Sequence, residues 1–286
     1  MKNNIFILIT TIFSIILIII ISYLFYCYNK TKKNINTNCE VYFMSDEQTK
    51  LFLTNDKDKY VRNLSRFDLC ARKVSTHDEY IQKIVKTTLS FTQYEKDLLI
   101  RCIEKADIFF RNVKYDDLCY NNYIIGNDIA NIKWIFANTY YVHDIKNNVE
   151  YEYEEGLPHT RENIIFLSKN VLNYIEDDLI KTLIHEKIHI YQRLNVDLFD
   201  KIIKCMGFKQ IYLLNDEYVR SNPDTNSNIY IDNKTNKTMV CFYRSDKPTG
   251  INDVIMTNHS LEHPYEKIAY EIADYYYKDN QKYKDI

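Results

Sequence analysis

The chain has 286 residues, a formal net charge of −2, and no basic run beyond the lysines that follow its first apolar segment. This balance gives no electrostatic basis for binding nucleic acid, so we expect no nucleic-acid partner. Four glycines and four prolines against 26 tyrosines exclude a low-complexity chain and predict an aromatic-rich, compact core.

The first apolar segment covers residues 5–27 without a charged side chain. At about 1.5 Å per residue it is long enough to cross a hydrocarbon layer of about 30 Å. It predicts a single-pass transmembrane anchor over residues 1–27, with the lipid bilayer as a partner. A cleaved signal peptide is the alternative, although its apolar region is usually shorter. Lys30, Lys32 and Lys33 favour a cytoplasmic large domain, but long domains can override this count, so the side of the membrane stays open.

Residues 28–45 are rich in Asn, Lys and Thr and predict a juxtamembrane linker. Beyond it we expect a part with helices and strands but no assigned role over residues 46–150, and a catalytic part over residues 151–286. Periodicity and breaker residues predict helices over residues 78–112, 196–206 and 264–277. They also predict strands over residues 123–125, 132–136 and 163–167. Residues 228–231 and 239–243 are predicted to form a hairpin.

The most specific motif is H-E-x-x-H, formed by His185, Glu186 and His189. Apolar residues recur at threes and fours over residues 171–194, which predicts a long amphipathic helix with Ser168 as N-cap. Positions i and i+4 share a helix face, so both imidazoles can bind one metal ion, and the glutamate can act on water as a general base. The alternative is a charged helix face with solvated histidines.

Two histidines require a further ligand, because catalytic zinc commonly has three protein ligands and one open position. Asn195 stands where a third histidine would complete the metzincin pattern, which excludes that arrangement. We predict Glu266 as the third ligand, with Glu217 as the alternative. Glu266, Tyr270 and Asp274 share a helix face, so Asp274 could orient a ligand histidine. An ordinary amphipathic helix with exposed acids is the competing interpretation.

H-E-x-x-H followed by a glutamate in an E-x-x-A-x-x-x-A setting, here Glu266, Ala269 and Ala273, resembles the gluzincin-type zinc metallopeptidases. Residues 157–161, 222–225 and 263–266 also resemble segments of membrane-anchored, metallopeptidase-like proteins of large DNA viruses. This second likeness implies a viral source and a host or virion membrane.

The resemblance to gluzincins implies an α+β, zincin-like fold. It would have a small sheet, an active-site helix and a C-terminal glutamate helix, with a helical N-terminal part behind the membrane anchor. It also implies a Zn²⁺ cofactor held by His185, His189 and Glu266. A peptide or protein substrate would then be hydrolysed by a zinc-bound water, with Glu186 as general base. An additional donor to the oxyanion, or a residue behind the ligands, would come from Arg220, His259, His263, Tyr265, Tyr270 or Asp274.

Two other functions remain open. The first is a noncatalytic membrane or virion protein whose zincin-like domain binds a partner, although such a scaffold has no chemical need for Glu186. The second is a hydrolase that acts on something other than peptides. A strand over residues 163–167, if it is a sheet edge, could hold an extended peptide.

The cysteines leave the redox state undecided. Six of them lie outside the apolar segment and could form three disulfides or stay free. They contain no C-x-x-C pair, which argues against a cysteine zinc site. They are Cys39, Cys70, Cys102, Cys119, Cys205 and Cys241.

Overall fold

The computed structural model describes residues 40–116, 118–144, 149–212, 217–257 and 261–284. Residues 39–286 form one compact unit. Its α-helices in these ranges are α1 (Asp46–Asn55), α2 (Arg66–Ala71), α3 (His77–Ile84), α4 (Gln93–Asn112), α5 (Gly126–Ala130), α6 (Glu176–Leu194), α7 (Val196–Cys205) and α8 (Pro264–Lys284). Its strands are β1 (Val41–Phe43), β2 (Thr88–Leu89), β3 (Trp134–Thr139), β4 (Val142–Asp144), β5 (Val149–Tyr151), β6 (His159–Arg161), β7 (Ile164–Ser168), β8 (Phe208–Ile211), β9 (Ile229–Asp232), β10 (Lys237–Met239), β11 (Cys241–Tyr243) and β12 (Val254–Met256).

The largest sheet has the order β1-β3-β7-β6, with β2 paired to β3. Strands β1, β3 and β7 are parallel, whereas β6 runs antiparallel at the edge. Alternate side chains of these strands point to opposite faces. Trp134 and Phe136 therefore join the buried cluster formed with α4, α6 and α8. Ala137 and Phe166 join a second cluster with α1 and α3. The sheet is thus a middle layer between two sets of helices.

The predicted membrane anchor over residues 5–27 lies outside the described residues. Within the described ranges, no helix combines the length and the apolar character needed to cross a membrane. The longest ones, α4 and α8, carry Lys, Asp and Glu along their length, and such charges are costly in hydrocarbon. We therefore correct the fold class to a mixed α/β fold with small sheets, and we withdraw the transmembrane anchor and the membrane location that depended on it.

Several predicted elements are confirmed and others are wrong. The strand over residues 163–167 and the helices over residues 196–206 and 264–277 correspond to β7, α7 and α8. The helix over residues 78–112 is in fact α3 and α4, because β2 intervenes and a capping box of Thr92 and Glu95 starts α4. Residues 123–125 form no strand. The hairpin is confirmed in part, because β9 pairs with β10 and Tyr230 lies opposite Met239, whereas residues 241–243 form β11 and pair with β12.

The H-E-x-x-H helix is α6, and it starts later than the sequence predicts. Ser168 is the last residue of β7 rather than the N-cap, and Ile175 precedes the first turn. The buried Lys187 of α6 donates to the backbone oxygen of Ile132 and lies 3.7 Å from the ring centre of Trp134 on β3. This contact helps to fix the rotation of α6 on the sheet, with both motif histidines directed away from it.

Helix α8 packs against α6. Ala269 and Ala273 are completely buried, as expected for small residues that allow two helices to approach closely. Glu266 lies one turn before Ala269 on the same helix, and the packing directs it toward the two histidines of α6. The pair α6 and α8 therefore positions the candidate site.

Candidate metal centre

Three electron-rich atoms from α6 and α8 converge at one point. The Nε2 atoms of His185 and His189 are 3.0 Å apart. Glu266 Oε2 is 3.3 Å from the first nitrogen and 3.6 Å from the second. In the described part of the chain, His185, His189 and Glu266 are the group of residues whose geometry could hold a metal ion. The structure therefore brings together the three predicted ligands.

The hydrogen bonds of the histidines define which atoms face this point. His189 Nδ1 lies 2.9 Å from Gln192 Oε1, and an amide oxygen can only accept, so Nδ1 carries the hydrogen. The lone pair or exchangeable proton of His189 is thus on Nε2, facing Glu266. His185 Nδ1 is buried and has no hydrogen-bond partner among the described residues.

Burial and charge act differently on the three ligands. Burial lowers the pKa of His185. Burial also opposes a charge on His189, but the Glu266 carboxylate outweighs it and raises the pKa of His189. Burial likewise opposes ionisation of Glu266, yet His189 and His185 hold its pKa well below the ordinary range. A proton on Nε2 of His189 would compete with a metal cation for the same lone pair, so metal binding should weaken as the pH falls.

Two amide side chains form hydrogen bonds with the candidate ligands. Gln192 is fully buried, and besides accepting from His189 it donates through Nε2 to the backbone oxygen of Tyr265, at 2.9 Å. Asn222 donates through Nδ2 to Glu266 Oε1, at 2.8 Å, and to Glu262 Oε1, at 2.6 Å. Gln192 therefore links the ligand helix α6 to the start of α8, and Asn222 leaves Glu266 Oε2 for the histidines.

Neither amide was assigned a role from the sequence. Gln192 stands three residues after His189, one helical turn away, and this spacing is a signal that could have identified it. Asn222 lies in a loop between β8 and β9, so nothing in the sequence shows its approach to Glu266.

Glu186 lies beside the three ligands and is buried. Its Oε2 atom has no hydrogen-bond partner among the described residues. Burial, followed by the nearby carboxylates of Asp224 and Glu266, raises the pKa of Glu186 well above its ordinary value. Thr160 fixes Asp224 by donating from its backbone nitrogen and, at 2.8 Å, from Oγ1. Burial and the neighbouring carboxylates thus both favour the protonated form of Glu186.

The site opens into a cavity of about 410 Å³. Its walls are formed by the candidate ligands, by apolar side chains, by the buried ion pair Arg72–Glu154 and by the half-buried ion pair Arg220–Glu262. The apolar side is formed by Leu157, Pro158, Ile251, Met256, Leu261 and Ala273. The cavity is large enough to hold several atoms of an organic substrate next to the three ligands.

The other predicted site residues differ in their positions. Tyr270 lines the cavity with its ring centre 4.4 Å from that of His185. Asp274 pairs at 2.5 Å with Lys181 of α6, which lines the same cavity, and among the described contacts none joins Asp274 to a ligand histidine. Glu217 is exposed and contacts Arg66, so it is not near the ligands. His259 lies outside the described residues.

Arg220 and His263 are both engaged elsewhere. Arg220 lines the cavity, but it donates to Glu262. His263 donates through Nε2 to Asn226 and accepts from the backbone nitrogen of Tyr265. Burial lowers the pKa of His263 to about 3, so the ring is neutral. It lines a second cavity rather than the one next to the ligands.

The edge strand of the sheet is not free to pair with a peptide. The strand over residues 163–167, β7, is not an edge, because it lies between β3 and β6, and β6 forms the edge on this side of the sheet. On β6 the backbone nitrogen of Thr160 donates to Asp224, and its oxygen accepts from Arg193 at 3.5 Å. The hydrogen-bonding groups that an added strand would need at Thr160 are already used.

Comparison of the chain with protein-family models, with curated proteins and with solved structures gave no match. The chemistry of this centre is therefore inferred from its own residues.

Proposed function

We propose that the protein is a zinc-dependent hydrolase of peptide bonds, similar in its site to the gluzincin-type metallopeptidases. The observation that carries this proposal is the convergence of His185, His189 and Glu266 beside the buried Glu186, at the wall of a cavity. Hydrolysis requires a carboxylate that lies next to the metal ligands without being one of them, whereas a purely structural metal site does not require such a carboxylate.

The donor set supports zinc. Zinc binds imidazole nitrogen and carboxylate oxygen at about 2.0–2.2 Å with tetrahedral geometry, which places donor atoms about 3.3 Å apart. The three separations among His185, His189 and Glu266 are 3.0, 3.3 and 3.6 Å. When bound, zinc would supply a Lewis acid that polarises a carbonyl and makes water acidic enough to ionise near neutral pH.

Glu186 and Tyr270 would have the two other catalytic roles. Glu186 accepts a proton from the attacking water and passes it to the departing amine. Tyr270 is 45% exposed on the cavity side, and burial together with Glu266 raises its pKa to about 12. Its hydroxyl therefore keeps its proton at neutral pH and can donate to the oxyanion that develops on the scissile carbonyl.

The test is the zinc content of the purified protein together with its cleavage of a diverse peptide library. We expect one zinc ion per chain. Glu186→Gln should keep the zinc and lower kcat by about 10²- to 10⁴-fold, because only proton transfer is lost. Glu266→Gln should lose the zinc, whereas Glu217→Gln is the matched control, an exposed glutamate whose change should leave zinc and turnover intact.

The outcomes separate the alternatives. A full zinc content without turnover of any peptide would assign the centre to a noncatalytic role or to another substrate class. A protein that takes up no zinc, or that keeps it in Glu266→Gln, would overturn the proposal.

A further inference from the structure

Two exposed cysteines, Cys119 and Cys205, lie side by side on the surface. Cys205 is the last residue of α7, and its Sγ is 3.6 Å from the backbone oxygen of Cys119, which lies between α4 and α5. The two thiols also contact each other, and burial, the Cys205 thiol and the Glu271 carboxylate together raise the pKa of Cys119. Folding thus brings together two thiols that are 86 residues apart in the chain.

Two other cysteines have a different environment. Cys102 is buried in the cluster that contains α4, and Cys241 is buried on β11. Burial raises the pKa of each of these thiols to about 12. Since the thiolate is the reactive form and must be reached by the oxidant, Cys102 and Cys241 are inert whereas Cys119 and Cys205 are accessible.

We propose that Cys119 and Cys205 are an oxidation site that forms an intrachain disulfide with a small-molecule disulfide, such as glutathione disulfide, as oxidant. The thiolate of one cysteine attacks a sulfur of the oxidant, forming a mixed disulfide and releasing one glutathione thiolate. The thiolate of the other cysteine then attacks the protein sulfur of the mixed disulfide and releases the second glutathione. Two protein thiols are oxidised, one oxidant disulfide is reduced, and the two thiol protons leave to water or to the glutathiones.

The new bond would close a loop that contains the whole of α6, with His185 and His189. Next to Cys119, Tyr120 donates at 2.6 Å to Glu271 on α8, the residue after Tyr270. The disulfide would therefore hold the segment that contacts α8 to the end of α7, which follows α6. Closing so long a loop restricts the unfolded chain strongly and should stabilise the fold.

The experiment is incubation of the purified full chain in glutathione redox buffer, followed by alkylation of free thiols and tryptic peptide mapping without reductant. The expected product joins the peptides of residues 115–133 and 205–209, with the loss of two hydrogen atoms. Oxidation should also raise the thermal midpoint by about 5 to 15 °C.

Single variants give the controls. Cys119→Ser and Cys205→Ser should each abolish the joined peptide and the rise in thermal midpoint, whereas Cys70→Ser should keep both. The proposal is overturned if Cys119 and Cys205 are recovered alkylated, or only as separate glutathione adducts, under conditions that oxidise a model dithiol.

Discussion

Replacement of Gln192 should show how strongly the buried amide controls the metal centre. Gln192 makes two hydrogen bonds of 2.9 Å, accepting from His189 Nδ1 and donating to the backbone oxygen of Tyr265. Gln192→Leu keeps a similar side-chain volume and removes both. His189 would lose the partner that fixes its ring and tautomer, and the Tyr265 oxygen would be left without its donor.

The expected size follows from these two losses. A partner behind a metal-bound histidine is typically worth 10- to 100-fold in metal affinity, or about 1.4 to 2.7 kcal/mol. Each buried polar group left without a partner also costs about 1–3 kcal/mol of folding stability. Gln192→Leu should therefore weaken zinc binding about 10- to 100-fold and lower the free energy of unfolding by about 2–6 kcal/mol.

Gln192→Glu separates the two effects. A carboxylate still accepts from His189 Nδ1, so zinc affinity should be kept or strengthened. It cannot donate to the Tyr265 oxygen and would repel it, so stability should fall.

Zinc affinity is measured by competition with a chromophoric chelator, and stability by urea denaturation of the metal-free protein. Asp274→Asn is the matched control, because Asp274 pairs with Lys181 outside the ligand group and its change should leave zinc affinity unaltered. Equal zinc affinity in the wild type and in Gln192→Leu, or a loss in Asp274→Asn as large as that in Gln192→Leu, would refute the reasoning.

Three further changes test other parts of the site. Asn222→Asp replaces the amide that donates to Glu266 Oε1, at 2.8 Å, by a second carboxylate. Zinc affinity in the same competition titration should fall about 10- to 100-fold. An unchanged affinity would show that Asn222 does not support the ligand Glu266. Tyr270→Phe should lower kcat by about 10²- to 10³-fold at unchanged zinc content, measured by steady-state kinetics, and an unaltered kcat would exclude its hydroxyl as oxyanion donor. Glu154→Gln removes one of the two buried carboxylates that pair with Arg72 and leaves Asp68, at 3.5 Å, as the other; it should cost about 3 kcal/mol in urea denaturation at neutral pH, the lower end of the range for breaking a buried pair. Burial opposes ionisation of Glu154, but Arg72 outweighs it and lowers the pKa of Glu154 below 4.5. The stabilisation from this ion pair is therefore complete above pH 4.5 and is lost as the pH falls through the depressed pKa. A Glu154→Gln variant as stable as the wild type would contradict this reasoning.

The sequence predicted the parts of the site that local helical geometry controls. The spacing of His185 and His189 places both rings on one side of a helix, whatever the rest of the fold does. Ala269 and Ala273 indicate a face that can pack closely against another helix, and Glu266 shares that helix. The convergence of the three donor atoms depends on the packing of α6 against α8. The position of each donor residue on its own helix, however, follows from the sequence alone.

The sequence could not predict contacts made through loops. Asp274 has the right helical spacing for contact with a ligand histidine, yet it lies two turns from Glu266 and pairs with Lys181 of α6. Asn222 reaches Glu266 instead, from a loop whose path depends on distant hydrogen bonds. One of these joins Ser221 to Asp68 on α2, 153 residues earlier in the chain. The pairing of β11 with β12 has the same origin, because strand partners across long loops leave no local periodic signal.

The charge state of Glu186 shows why the motif alone does not define the chemistry. H-E-x-x-H places this carboxylate next to the ligands, but its basicity depends on burial and on Asp224, which Thr160 of the edge strand fixes in place. In the absence of a cation, Asp224 and Glu266 both oppose ionisation of Glu186. A dication held by the three candidate ligands would oppose this effect, because its positive charge would favour the ionised form of Glu186. In the proposed function, the surrounding fold would therefore make Glu186 an effective proton acceptor only when a dication is bound.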